Sequence, residues 1–224
     1  MTSMCNRVKK EIYKDYDPYE AFNASRFSAD LQGWNSDHIF LSDTITKLRP
    51  KVVVEIGVWK GGSTICMANA MRDASVDGVV ISVDTFLGSW EHYEQKEHFP
   101  SLMHQNGYPT LFYTFLTNVV RRDLNEYVIP LALDSANANF VLSRKNIRPD
   151  VIHIDAGHDH AAVLTDLTIW WPLLSPGGFL IADDYDTTGV VWPSVRDAVD
   201  EFLAITPHAS FEALPFKARW QKLE

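Results

Sequence analysis

A chain of 224 residues with 46% hydrophobic and 22% charged residues carries enough apolar material for one packed core, which excludes a disordered chain and a large multidomain assembly. Its net charge of −9 repels a phosphate backbone and excludes nucleic acid as a partner. No apolar run reaches the roughly 18–20 residues that cross a bilayer, and MTSMCNRVKKEIY lacks a signal-peptide core, so a cytoplasmic protein without a membrane partner is expected.

The N-terminal stretch, residues 1–49, reads as an aromatic-rich arm (Tyr13, Tyr16, Tyr19, Phe22, Phe27, Trp34) followed by a helix over SDHIFLSDTITKL. Such an arm suits either a homo-oligomer interface or a cover for the chain's own sheet. From Lys51 onward, short apolar runs alternate with helical patterns, as βα units feeding a parallel sheet do. Strands are predicted at Lys51–Val58, Val79–Phe86, Tyr127–Asp134, Asp150–Ala156 and Phe179–Tyr185, with the Val/Ile/Leu content of strands covered on both faces. Helices are predicted over STICMANAMRDA, ANANFVLSRKN, HAAVLTDLTIWWPLL and PSVRDAVDEFLAI, where apolar residues recur three or four apart. Residues 87–118 are too long for a simple connection and read as a lid, a substrate-binding insert or a small structural unit. The tail FEALPFKARWQKLE predicts a closing hairpin. Cys5 and Cys66 make neither a disulfide framework nor a zinc site, and Cys66 reads as an ordinary buried thiol. With no repeat or linker, residues 1–224 are expected to form a single doubly wound α/β domain.

The first strand runs into VVVEIGVWKGGST. Gly57 and Gly61 or Gly62 permit a tight turn and a close ligand approach, and the following helix start offers free N–H groups to an anion. The E-x-G-x-x-x-G spacing departs from the dinucleotide G-x-G-x-x-G, and no Walker lysine is present. The second strand ends at Asp84, where doubly wound nucleotide folds place a carboxylate for ribose hydroxyls. The third ends at Asp134-Ser135, a candidate for an adenine amino group and equally a plain helix N-cap.

The fourth and fifth strands end in VIHIDAGHDH and FLIADDYD. If they are neighbours, Asp155, Asp183 and Asp184 converge on one edge, a costly arrangement that a hard divalent cation such as Mg²⁺ relieves; the alternative is that one or two of them cap helices or face solvent. His153 lies within the strand and reads as packed core, whereas His158 follows it in the loop, where it can serve as base, ligand or cap. Zinc is disfavoured because carboxylates dominate and no cysteine is near.

Together these residues resemble a class I S-adenosylmethionine-dependent methyltransferase from about Lys51 to Ala204. EIGVWKGGST is similar to the family's first motif, VDTF to the second and ALDSA to the adenine-side motif. IDAGHDHAAVLTDLTIWWPLLSPGGFLIADDY resembles the branch of macrocin-type and cephalosporin-biosynthesis O-methyltransferases. The resemblance implies a Rossmann-like, mostly parallel seven-stranded sheet with an antiparallel C-terminal hairpin. It places Glu55, Gly57, Gly61 and Ser63 at the methionine part of the cofactor, Asp84 at the ribose, Asp134 and Ser135 at the adenine, and Mg²⁺ on Asp155, Asp183 and Asp184. Ala156, where glycine is usual, and His160, where an aromatic is usual, depart from the pattern, and residues 87–118 match none of it.

The expected reaction is methylation of a small hydroxylated acceptor, such as a sugar or natural product, with Asp155 or His158 removing the proton. The rivals are a metal-independent methyltransferase, a nicotinamide-dependent oxidoreductase and a non-catalytic cofactor-binding module.

Overall fold

The computed structural model describes residues 3–224. Five parallel strands form where the apolar runs were read: β1 (Val52–Ile56), β2 (Val79–Val83), β3 (Val128–Leu131), β4 (Val151–Ile154) and β5 (Phe179–Asp183). Each is shorter at its carboxyl end than the apolar run suggests, because the chain turns into loops at Gly57, Asp84 and Asp155, whose N–H groups make the last bonds to the neighbouring strand. The tail forms the expected hairpin, β6 (Ser210–Leu214) and β7 (Lys217–Gln221). The strand order is β3-β2-β1-β4-β5-β7-β6, so β7 enters antiparallel beside β5 and β6 becomes the edge.

Helices cover both faces. Side chains alternate across the strands, so Val54, Ile56, Ile81 and Ile152 pack with one hydrophobic cluster. Its helices are α1 (Met4–Tyr13), α6 (Ser135–Arg144), α7 (His160–Trp170) and α8 (Pro193–Ile205). Val53, Val80, Val151 and Ile181 pack oppositely, beneath α2 (Ile39–Leu48), α3 (Gly62–Asp73) and α5 (Leu111–Val120). Asp134 caps α6 through the Asn137 N–H at 2.9 Å, and Asp159 caps α7 through Ala162 at 3.0 Å.

Two segments are more ordered than their sequence suggests. The arm begins with α1, which buries Cys5 and Val8 and places the Tyr13 hydroxyl 2.6 Å from the Pro130 carbonyl. The arm thus covers the chain's own sheet near β3. The long insert holds the short helix α4 (Trp90–Glu94), a 3-10 turn at Phe99–Leu102, and α5, whose Leu111, Phe115, Leu116 and Val119 belong to the core. Among the described residues, no helix is long and apolar enough to cross a membrane.

Candidate functional site

The carboxyl ends of β1, β2, β3, β4 and β5 open into one cavity of about 650 Å³, in the range of small-molecule sites. Gly57, Ser63, Asp84, Asp134, Ser135, Asp155, His158, Asp183 and Asp184 all line it. Glu55 and Gly61 are not among the residues that line it. Residues 33–36 of the arm, the first half of the insert and Trp192 complete the enclosure.

The glycine loop is shaped by backbone necessity. Gly57 has φ +83°, and a Cβ there would lie 1.7 Å from the Asp155 carbonyl oxygen, so the β1 and β4 loops touch main chain to main chain. Gly61 has φ +89°, and a Cβ would meet the buried Phe115 ring at 2.6 Å. Asp84 secures the same loop: its carboxylate accepts from the N–H groups of Val58 (2.8 Å) and Trp59 (3.0 Å), and from Phe86 (2.7 Å). A carboxylate has about four lone-pair positions, so Asp84 retains capacity for one more donor.

Glu55 is fully buried and accepts from the Ser63 and Thr64 hydroxyls at the start of α3 and from His153 Nδ1 at 3.1 Å. Ser135 donates to Asp166 and accepts from Trp170 Nε1 at 2.8 Å, which orients its hydroxyl at the cavity. Burial pushes the Asp166 carboxyl up to about 6, against the opposing pull of the Ser135 hydrogen bond.

The acidic edge assembles as β4 and β5 pair. Burial, reinforced by Asp183 and Asp184, pushes the Asp155 carboxyl well above the ordinary range. Asp183 is also buried, but the Lys217 ammonium, hydrogen-bonded to it from β7, holds it below that range. His158 bridges two carboxylates, with Nδ1 3.0 Å from Glu91 and Nε2 2.9 Å from Asp184, and stacks on Trp192 at a centroid distance of 4.2 Å. Burial opposes its charge, yet the bonds to Asp184 and Glu91 prevail and push it up to about 9.

Glu91, Lys217 and Trp192 were not singled out from sequence. Glu91 lies in an insert without a motif, and Lys217 in a strand whose alternation alone suggests a solvent-facing polar residue. His153 is buried as expected, but it is hydrogen-bonded on both sides: Nδ1 faces Glu55, and Nε2 is 3.3 Å from the Lys217 ammonium. Aromatic rings line the cavity mouth, with Trp59 stacked on His92 at 4.2 Å and Trp34 edge-on to His98 at 5.1 Å.

Donor atoms of Asp155, His158 and Asp184 lie within 4.8 Å of one another, as do those of His153, Asp155 and Asp183. This oxygen-rich donor set fits a hard divalent cation.

A family model described as a methyltransferase domain matches residues 54–185. The rhamnosyl O-methyltransferase of Mycobacterium tuberculosis is 25% identical over 173 residues, covering 76% of this chain and 58% of that protein. The mycinamicin III 3''-O-methyltransferase of Micromonospora griseorubida is 29% identical over 160 residues, 68% of this chain and 60% of that protein. The chain thus spans less than two thirds of the length of these relatives. Among solved structures, the O-methyltransferase TomG from Streptomyces achromogenes, involved in tomaymycin synthesis and bound to SAM, has a TM-score of 0.63 at 14% identity, covering 100% of this chain and 91% of that one. An O-methyltransferase from Bacillus cereus in complex with SAH has a TM-score of 0.58 at 18% identity, covering 98% of both chains. These structures share the fold.

Proposed function

We propose, from the premise that this chain belongs to the methyltransferase domain family, that it transfers the methyl group of S-adenosylmethionine to a hydroxyl oxygen of a small hydroxylated acceptor. The observation that carries this reading is the continuity of one cavity from Asp84 and Ser135 to the acidic edge at Asp155 and Asp184. The relatives that bear the names rhamnosyl and mycinamicin O-methyltransferase favour a sugar or natural-product acceptor.

The glycine loop and the N-terminus of α3 face the amino-acid end of the cofactor with N–H groups, and Glu55 fixes that helix start through Ser63 and Thr64. Asp84 accepts from the ribose diol with its remaining lone pair. Asp134 and Ser135 border the adenine, Ser135 as an acceptor because its own proton is committed to Asp166.

At the other end of the cavity, Asp155, Asp183 and Asp184 would hold Mg²⁺, which would supply acidification and alignment of the acceptor hydroxyl. His158, held by Glu91 at Nδ1, would act as base through Nε2 in its neutral form, having first lost its Nε2 proton to water. Asp155 is the other carboxylate within reach of the hydroxyl proton. The oxygen–methyl bond forms as the sulfur–methyl bond breaks, S-adenosylhomocysteine is released, and the proton passes through His158 to water. The arm and the first half of the insert exclude water from this displacement.

The test measures S-adenosylhomocysteine and NAD binding by calorimetry on chelator-stripped protein, then transfer of labelled methyl to rhamnosylated acceptors with and without Mg²⁺. Binding of the sulfur cofactor and Mg²⁺-dependent transfer are expected. Full transfer after chelation supports metal-independent methylation, and binding of NAD in its place supports an oxidoreductase. Cofactor binding without transfer to any hydroxylated acceptor supports a non-catalytic module.

A further inference from the structure

The segment between β5 and α8 changes character abruptly. Asp183, Asp184 and Asp186 are followed by TTGVVWPS, a run without a single charged residue. Both parts border the same cavity, the first through Asp183 and Asp184, the second through Val191 and Trp192.

The loop is pinned from within. Asp186 is 3% exposed, and its carboxylate accepts from the N–H groups of Thr188, Val190 and Val191, each at 2.9 Å, and from the Thr188 hydroxyl. Gly189 donates to the Asp186 carbonyl at 3.0 Å, and Arg196 of α8 donates to the Thr187 carbonyl at 3.0 Å. These bonds hold Val190 and Val191 outward, 79% and 43% exposed, although water favours their burial. Trp192 follows at a φ of +48°, a left-handed conformation that a bulky side chain adopts only under constraint and that recurs at ligand-gripping sites. Its indole lies over the His158 ring, centroids 4.2 Å apart and planes at 23°.

We propose that residues 187–192 form the acceptor-recognition lip of the cavity. Trp192 contacts the ring that bears the reacting hydroxyl, and Val190 and Val191 receive an apolar substituent of that ring where it leaves the cavity. The acceptor is therefore amphipathic, hydroxylated at one end and apolar at the other. The proposal rests on the methyl-transfer reading given above.

The acidic edge and the lip make opposite demands on a ligand. Hydroxyl groups satisfy Asp155, Asp184 and His158, whereas the valines and the indole gain only from displacing water. The two surfaces meet at His158, whose Nε2 is 2.9 Å from Asp184 while its ring face carries Trp192. The apolar part of the acceptor thus sits close to the hydroxyl that is methylated. A free sugar, polar all round, leaves the lip wet. The cofactor end, at Asp84 and Ser135, is not part of this loop.

The experiment measures binding of two matched pairs of probes to the full chain loaded with S-adenosylhomocysteine and Mg²⁺, by saturation-transfer NMR titration: rhamnose against 4-nitrophenyl rhamnoside, and catechol against 4-tert-butylcatechol. Transfer of labelled methyl to the same probes gives kcat and KM. The apolar member of a pair is expected to bind about tenfold or more tightly than its partner, with the difference appearing in KM. The double substitution Val190→Ser, Val191→Ser, at exposed positions, should remove that preference while S-adenosylhomocysteine affinity stays as in wild type. Trp192→Ala should weaken both members of a pair. Equal binding of both members to wild type, or a preference that survives in the double variant, overturns the proposal, and methyl transfer to any probe then shows that the functional reading stands without it. Cofactor binding with neither binding nor transfer for all four probes overturns the acceptor reading and the lip together.

Discussion

His158 and Asp184 form an ion pair at the cavity edge, Nε2 to Oδ2 2.9 Å, while the opposite nitrogen of the same ring faces Glu91. A ring that gives a proton to each of two carboxylates is an imidazolium, which neutralises part of the acidic edge when no metal is present. Its pKa is raised to about 9 from an ordinary value of 6.5, so the stability it contributes is full below about pH 6.5 and is lost as pH rises through about 9.

In chelated protein this loss amounts to on the order of 2 kcal/mol, a fall in Tm of roughly 4–8 °C between pH 6.5 and 9.5. Glu91→Gln removes the charge of one of the two partners while keeping an acceptor, and should flatten that dependence. Melting curves at three pH values check it, and an unchanged slope in Glu91→Gln would show that Glu91 does not sustain the charge.

Gly57 admits no side chain. With φ at +83° and the Asp155 carbonyl 1.7 Å from the position of a Cβ, Gly57→Ala must separate the β1 and β4 loops. The expected cost is at least ~2 kcal/mol in urea unfolding, together with loss of cofactor binding, since the same loop frames both ends of the cavity.

Asp166 carries a raised pKa of about 6 against an unfolded value near ~3.9, so it favours the folded state only at low pH and loses that contribution as pH rises through about 6. Asp166→Asn keeps an acceptor for Ser135 while abolishing the buried charge. It should raise stability by about 1–2 kcal/mol at pH 8 and by much less at pH 4.5. Urea midpoints at the two pH values are the measurement, and equal shifts at both would contradict a buried ionisation as the cause.

Lys60 joins three segments. It is 2% exposed, and its ammonium reaches Asp30 at 2.6 Å and Gln32 at 3.3 Å in the arm, and Ser101 at 3.1 Å in the insert. Lys60→Met should loosen both covers, seen as faster amide exchange in residues 30–36 and 88–103 with strands β1 and β4 unaffected. Cofactor affinity should fall several-fold. Exchange unchanged in either cover would show that other contacts hold it.

What sequence made legible was the part governed by local chemistry. The runs VVVEI, VVISV and FLIAD read as strands because their apolar residues cannot be satisfied otherwise, and the residues after them read as cavity-facing because such sheets bind ligands at that edge. The helix α1 escaped notice because its apolar residues are sparse among lysines, and its burial depends on Pro130 and Asn125, far along the chain. The same holds for Glu91, which meets His158 across 67 positions, and for Lys217, which meets Asp183 across 34. Asp134 remained ambiguous in sequence between ligand and cap; the structure shows the cap, with the residue at the cavity wall as well.

The placement of β7 has a consequence for how the molecule comes into being. Every other strand precedes it in the chain, yet it inserts between β5 and β6 and brings the ammonium that Asp183 requires. Until it docks, the nascent sheet ends at β5 with an unpaired edge and an unneutralised carboxylate, a state that resists tight closure and invites pairing with a neighbouring chain. The step that seals the sheet is therefore also the step that matures the pocket, and a chain stalled before it should be recognisable by its stickiness before any loss of secondary structure is seen.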